Sequence, residues 1–316
     1  MKKIMILASI VMGLALSGVH AQPRLLGEPQ RITPIGRSYQ QPVWSPDGAW
    51  IAVTGPRYNG IFLVRPDGSE FKQITADAAV GFRMQWSPDG RFLLGRAARW
   101  ERRRRYNAIK IYDIVTGQAH QVTEERTFMP ALPVWAGGNA RIVLYANRGL
   151  EVFEAPIPIS LRKSSPLPLA VVASGQQGIE ILAPDGQKLK TLKPIEGRYL
   201  KTEISPDGSR TVIEVIGGHL YVVHLETESV VSLGAGENPV WSPDGRWILC
   251  MVTEDDGHRI LGSDIWAIRA DGSRRVNLTN TPDQIEMDPT ISPDGSAIAF
   301  SEEHSRAVYV AKIQWD

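Results

Sequence analysis

Five residues, Trp-Ser-Pro-Asp-Gly, recur through this chain and restrict it to folds built by copying one small unit. Trp44–Gly48 returns as Trp86–Gly90 and Trp241–Gly245, and with Ile in the first place as Ile204–Gly208 and Ile291–Gly295; a decayed copy is Trp135-Ala136-Gly137-Gly138. Each residue has a local task. Pro presets φ at the first corner of a tight turn, Asp hydrogen-bonds the nearby backbone, and Gly takes the positive φ at the exit. The apolar residue before the turn ends one strand, and an apolar run after it (Trp50–Val53, Phe92–Leu94, Thr211–Ile213, Ile298–Phe300) begins the next.

A second hairpin follows. Ile61–Val64 turns at Pro66-Asp67-Gly68 into Phe71–Thr75, Ile109–Ile114 turns at Thr116-Gly117, and Ile265–Ile268 turns at Ala270-Asp271-Gly272. Each unit therefore holds four short strands, A to D, in about forty residues, which is the pattern of a β-propeller. The fold class expected is all-β, one propeller of four-stranded blades. Six A–B turns can be counted, but seven C strands, near residues 62, 111, 152, 181, 222, 266 and 309. The strand count favours seven blades; six blades with one inserted hairpin is the alternative. The last unit stops after its C strand, and Gln30-Arg31-Ile32-Thr33 resembles the end of a D strand. Strand 30–33 is expected to complete the last blade and close the ring, removing exposed edges.

Residues 1–21 read as a secretory signal: Lys2 and Lys3, the apolar run 4–18, then Val19-His20-Ala21 with small residues placed for cleavage after Ala21. No Cys follows the run, so a lipoprotein is not expected, and residues 22–316 form the propeller. The location expected is periplasmic or secreted. Without Lys2 and Lys3 the chain has 33 basic and 34 acidic residues, from totals of 35 and 34, a net charge of −1. That balance points away from nucleic acid, and no mature segment is apolar for the ~20 residues of a membrane span. The single Cys250 sits in an apolar strand and is expected to be a buried structural thiol. His120, His219, His224, His258 and His304 are scattered along the chain without ligand-like spacing, with His219 and His224 flanking one strand, so neither metal nor organic cofactor is expected.

The Trp44–Gly48 and Asp288–Gly295 segments resemble the WD40-like Pro-Asp repeat of the TolB-like propellers, over roughly residues 28–316. The resemblance implies a periplasmic protein-binding platform, six-bladed in that family. The α/β domain that precedes the propeller in TolB itself has no counterpart here, since the repeats begin about twenty residues past the cleavage point.

In such a ring the A–B and C–D turns share one face, and the B–C and D–A connections share the other, where function usually lies. Two B–C connections stand out. Arg99–Asn107 is expected to be a basic loop, with Trp100 and Tyr106 bracketing Arg102, Arg103, Arg104 and Arg105; Glu254–Arg259 contains Asp255, Asp256 and His258. They should lie roughly across the mouth from each other. Arg and aromatic side chains dominate interface hot spots, which points to an acidic partner. Residues entering the A strands should ring the channel: Gln41, Arg83, Leu132, Lys201, Asn238 and Asp288. Five of these six are polar, so a wet, mixed-charge funnel is expected. The function expected is non-catalytic binding of an envelope or secreted protein or peptide. The alternative is a lyase, hydrolase or binder acting on a saccharide at the channel mouth.

Overall fold

The structure is a computed structural model that describes residues 22–146, 149–163, 170–173 and 178–315, with the side chains of 170–173 left aside. The signal-like segment 1–21 lies outside the described residues. The described residues are all-β apart from two single 3₁₀ turns.

In chain order, β1 (Arg24–Arg31) is followed by the first sheet, β2 (Gln40–Trp44), β3 (Ile51–Thr54), β4 (Ile61–Val64) and β5 (Phe71–Thr75). The second sheet is β6 (Gln85–Trp86), β7 (Phe92–Glu101), β8 (Arg104–Asp113) and β9 (Ala119–Gln121). The third is β10 (Val134–Ala136), β11 (Arg141–Ala146) and β12 (Gly149–Glu154), and the fourth is β13 (Ala170–Ala173), β14 (Ile179–Leu182) and β15 (Lys188–Leu192). The fifth is β16 (Tyr199–Ile204), β17 (Arg210–Val215), β18 (His219–His224) and β19 (Val230–Ala235). The sixth is β20 (Glu237–Trp241), β21 (Trp247–Asp255), β22 (Ile260–Arg269) and β23 (Arg275–Asn277). The seventh is β24 (Glu286–Ile291), β25 (Ala297–Glu302) and β26 (Ala307–Gln314), and β1 joins it in the order β1-β26-β25-β24.

The turn explains why the repeat has its composition. Ser45 Oγ donates to Asp47 Oδ1 at 2.6 Å and accepts the Trp50 N–H at 2.9 Å. Gly48, at φ 71°, returns its own N–H to the Ser45 carbonyl. The same two serine bonds recur at Ser87, Ser205, Ser242 and Ser292, all of them buried. A serine hydroxyl is needed because it donates and accepts at once inside the turn, so no buried polar atom is left bare.

Both counts made from the sequence have a structural basis. Six blades begin with the repeat's own A strand (β2, β6, β10, β16, β20, β24), while seven sheets each contain a C strand. Among the described residues the third sheet has no D strand and the fourth no A strand, so these two depart from the expected four. In the fourth sheet the β14–β15 turn Pro184-Asp185-Gly186 matches the C–D turns elsewhere, which makes β13 a B strand. It contacts both β10 and β16 and so takes its own place in the ring.

Packing follows the same order. One apolar cluster fills the space between each consecutive pair of sheets, from Trp50, Leu63, Trp86 and Leu93 between the first and second to Trp44, Val53, Ala299 and Val308 between the seventh and first. Trp44, Trp86, Trp135 and Trp241 are buried in these joints. The Trp86 indole N–H reaches back to the Val43 carbonyl at 3.0 Å, and that of Trp241 reaches the Glu203 carbonyl at 2.9 Å.

The closing strand is longer than 30–33 and starts earlier. Arg24–Leu26 pair with Gln314–Lys312, a bulge follows, and Gln30 and Arg31 pair with Val310 and Tyr309. The next two residues add the Ile32 N–H to Val308 carbonyl bond and the Val308 N–H to Thr33 Oγ1 bond. The bulge spans Gly27–Pro29, whose glycine (φ 75°) and proline hide the pattern in the sequence.

Candidate functional site

The inner strands build the channel with one repeated distortion. Gln41, Arg83, Asn238 and Asp288 all sit in the left-handed region, at φ 51°, 50°, 52° and 53°. Such angles are uncommon for non-glycine residues and cost of order 1–3 kcal/mol each. Three of them precede Pro42, Pro239 and Pro289, and each of those three strands slips register there. The slip brings one polar side chain per strand to a common centre.

At that centre the side chains bond to each other. Asn238 donates to Asp288 Oδ1 at 2.8 Å, and Gln41 bonds Asp288 from the other side. Gln41 Oε1 accepts the Arg83 N–H at 3.0 Å. Lys201 Nζ donates to Asn238 Oδ1 at 3.0 Å and to the Pro239 carbonyl at 2.7 Å. Arg83 reaches across to the Leu200 carbonyl at 2.9 Å and lies 3.7 Å from Glu214. Glu203 takes the Trp241 N–H at 3.1 Å and lies 3.6 Å from Lys201.

The five polar residues expected at the mouth are therefore brought together, as a closed network linking the first, second, fifth, sixth and seventh sheets. In this mixed-charge ring the groups bond to one another. Sequence alignment missed Glu203 and Glu214, which come from positions outside the aligned column; a carboxylate two residues from Lys201 was the available signal for Glu203. Burial raises the Asp288 and Glu203 carboxyl pKa values, with Lys201 opposing it at Glu203, and lowers that of the Lys201 ammonium. Every charge here has a partner of opposite sign or a hydrogen bond, the arrangement of a brace.

The two B–C connections singled out on this face are hairpins, where loops were expected. In the second sheet β7 and β8 pair for ten residues each, up to Trp100↔Arg105 and Glu101↔Arg104, with only Arg102 and Arg103 in the turn. Those two residues have φ 47° and 68°, the double positive of a two-residue hairpin turn. The added length lies in the strands. Arg105 stacks over Trp100 at 5.4 Å, Arg99 over Tyr106 at 5.0 Å, and Trp100 is 53% exposed. Arg99 is neutralised by Glu101 at 2.8 Å and Glu125 at 2.6 Å. Among the described residues, Arg102, Arg103, Arg104 and Arg105 have no carboxylate partner.

The acidic connection differs. Glu254 and Asp255 belong to β21, and the turn is Asp256–Arg259. Asp256 accepts the N–H groups of His258 and Arg259 at 2.9 Å each and lies 3.6 Å from the Arg259 guanidinium. Those bonds hold its carboxyl below the usual range. Asp255 accepts the Gly257 N–H at 2.8 Å. Asp255, Asp256 and His258 thus shape their own turn. Among the described residues no group of three or more His, Cys, Asp or Glu is placed to hold a metal ion.

Beside the basic hairpin lies a cavity of 290 Å³ that sequence reading did not find. Arg126, Phe128, Met129 and Pro130, from the connection leaving β9, form one wall; Leu144, Tyr145, Ala146 and Glu151, from β11 and β12, form the other. Arg126 and Glu151 pair across it at 2.7 Å, and Phe128 is 59% exposed. Arg96, half-buried below, donates to the Met129 carbonyl at 2.6 Å and anchors that wall. The signal available was an apolar Phe-Met-Pro run in a connection, without the spacing of a strand.

The fold and these features define a β-propeller with a braced channel and uneven connections on one face. No family model and no curated protein matches the chain.

Proposed function

We propose that this is an exported, non-catalytic propeller of the TolB-like kind, acting in the cell envelope or periplasm as a platform for a protein or peptide. The observation that carries the reading is the arginine hairpin: four adjacent guanidinium groups without a carboxylate among the described residues, raised on a rigid ten-residue ladder beside exposed Trp100. Clustered like charges work against the tip's own stability, so a function outside folding is the economical account. Exposed apolar side chains on the same face, Leu200, Ile216 and Leu261, support it. The signal-like residues 1–21 support export. The saccharide alternative loses ground because the channel carboxylates are engaged with Lys201, Arg83 and Asn238.

The test is a photo-crosslinking scan in cells. A photoreactive phenylalanine at position 100, 200, 216 or 261 should give discrete protein adducts, and one at Val115 or Ile159 on the opposite face should not. Equal adducts from both faces, or none from the first set, would refute the platform. N-terminal sequencing of the exported chain should begin at Gln22.

A further inference from the structure

The arginine tip and the cavity at its foot belong to one surface. Arg126 exchanges two backbone hydrogen bonds of 2.8 Å with Asn107 of β8, so the cavity wall is fastened to the hairpin itself. Arg104 lies three residues further along the same strand, about 10 Å at the usual rise of ~3.3 Å per residue. Between them the hairpin carries the Arg105–Trp100 stack on one face and the Arg99–Tyr106 stack on the other. At 290 Å³ the cavity is at the small end of ligand pockets (about 300–1,000 Å³). It suits one bulky side chain better than a whole small molecule. Its walls are apolar at Phe128, Met129, Pro130 and Leu144, and its one ion pair is internally balanced.

We infer that the junction of the second and third sheets docks an acidic peptide segment with one bulky apolar side chain. The apolar residue enters the cavity, and carboxylates a few residues away meet Arg102–Arg105. This deepens the platform reading and rests on it. Charge selects the occupant. The arginines have no intramolecular carboxylate among the described residues, whereas the acidic turn at Asp256–Arg259 is already satisfied by its own backbone and by Arg259. A second copy of this chain therefore offers the arginines a poorer anion than a free acidic segment does. Nucleic acid is disfavoured because the four arginines form a single tip on a chain of nearly balanced charge, without the extended positive track that phosphate backbones require.

The probe is a short fluorescent peptide of alternating Asp and Gly around one central Phe, titrated against the full chain by anisotropy. Counterparts replace the Phe by Ala or every Asp by Lys. Binding of the first peptide is expected to weaken by about tenfold or more with either counterpart, as hot-spot contacts do. It should also weaken as salt shortens the Debye length from ~10 Å at 0.1 M to ~3 Å at 1 M.

Two variants divide the surface. The first combines Arg102→Asn, Arg103→Gly, Arg104→Ser and Arg105→Ser, keeping the residues this turn type favours. The second, Ala146→Trp, fills the cavity. Each should lose about tenfold in affinity with an unchanged Tm, and Arg274→Ser on the opposite face should lose none. Wild-type affinity in either variant would overturn the inference. So would equal binding of the Lys peptide, tight binding of a single-stranded oligonucleotide instead, or no peptide binding with salt-sensitive self-association. If the peptide fails while crosslinks from positions 200, 216 or 261 still capture a protein, the platform stands and only this junction is lost.

Discussion

Around the ring, sheets that keep the Ser-Pro-Asp-Gly turn at the end of an A strand and the two that do not are held together differently. In the sixth sheet Ser242 joins Asp244 to the Trp247 N–H inside the turn, and Trp241 donates its indole N–H to the sheet before it. In the third sheet Ala136 stands in the serine's place and Gly138 in the aspartate's. Buried Asn139, in the glycine's place, reaches out of the turn instead, donating to Asp89 at 2.8 Å and to the Leu161 carbonyl at 2.9 Å. The Trp135 indole nitrogen is buried without a partner. Among the described residues only Ala136, Val143 and Leu182 form the buried cluster joining the third and fourth sheets. The regular arc is stable by local chemistry repeated, the irregular one by long-range contacts made once. The irregular arc also forms one wall of the cavity.

The largest test converts one kind of sheet into the other. The seventh sheet owes its outer strand to β1, while the third has no described outer strand. Deleting residues 22–33 should leave the seventh in the third's condition, with β26 an open edge and the Ile32 and Thr33 bonds to Val308 lost. A Tm drop exceeding that of any single substitution below, with aggregation on concentration, is expected. An unchanged Tm would mean that ring closure does not rest on this strand.

Next are the paired tryptophans. Trp241→Ala should cost about 3–5 kcal/mol, as large buried aromatics do. Trp135→Ala should cost about 1–2 kcal/mol less, since it has no hydrogen bond to lose (~1 kcal/mol) and lacks the Arg210 guanidinium that covers Trp241 at 5.0 Å. Trp44, whose indole N–H is also unpartnered, should follow Trp135 in this respect. Urea denaturation of the three variants gives the order directly, and an equal or reversed order would break the comparison.

Legibility in the sequence follows the same division. The turns were readable because Pro, Asp and Gly act within five residues. The column of A-strand residues was readable because the turns fixed its alignment, and it found Gln41, Arg83, Lys201, Asn238 and Asp288. Their satisfaction by one another was not readable, because Glu203 and Glu214 enter from neighbouring positions and meet them only after closure. The basic hairpin reads as a loop in the sequence because its strands are polar and largely solvated from Arg99 to Tyr106, so no apolar alternation marks them. The cavity needs two sheets to exist at all. The turn bonds of Asp255 and Asp256 with the N–H groups of Gly257, His258 and Arg259 were likewise not legible, because they depend on the local backbone path.

A smaller effect isolates the turn. Ser242→Ala removes the acceptor of the Trp247 N–H and a donor to the Asp244 carboxylate, which should cost about 1–3 kcal/mol. The reverse change in the third sheet, Ala136→Ser, meets no carboxylate at Gly138 and should fall within about 0.5 kcal/mol of wild type. Equal responses to the two would show that the serine's role is not local.

The smallest effect is electrostatic. Asp207 is held at a pKa of about 2 by the Ser205 hydroxyl, the Ser209 N–H and the Ser209 hydroxyl, against an unfolded value of 3.8. A carboxyl depressed in the folded state stabilises fully above its unfolded pKa, and that contribution is lost as pH falls through 3.8 toward 2. Asp294 is lowered by its Ser292 bond in the same sense. Both carboxyls are largely exposed, so solvent screening keeps the effect small. The third sheet, with Gly138 in that position, has no such group and contributes nothing to this window. The Tm gap between wild type and Asp207→Asn should therefore narrow between about pH 6 and about pH 2.5. A gap that stays constant would mean the aspartate acts in the turn by shape alone. The intact and decayed turns would then differ in packing and not in charge.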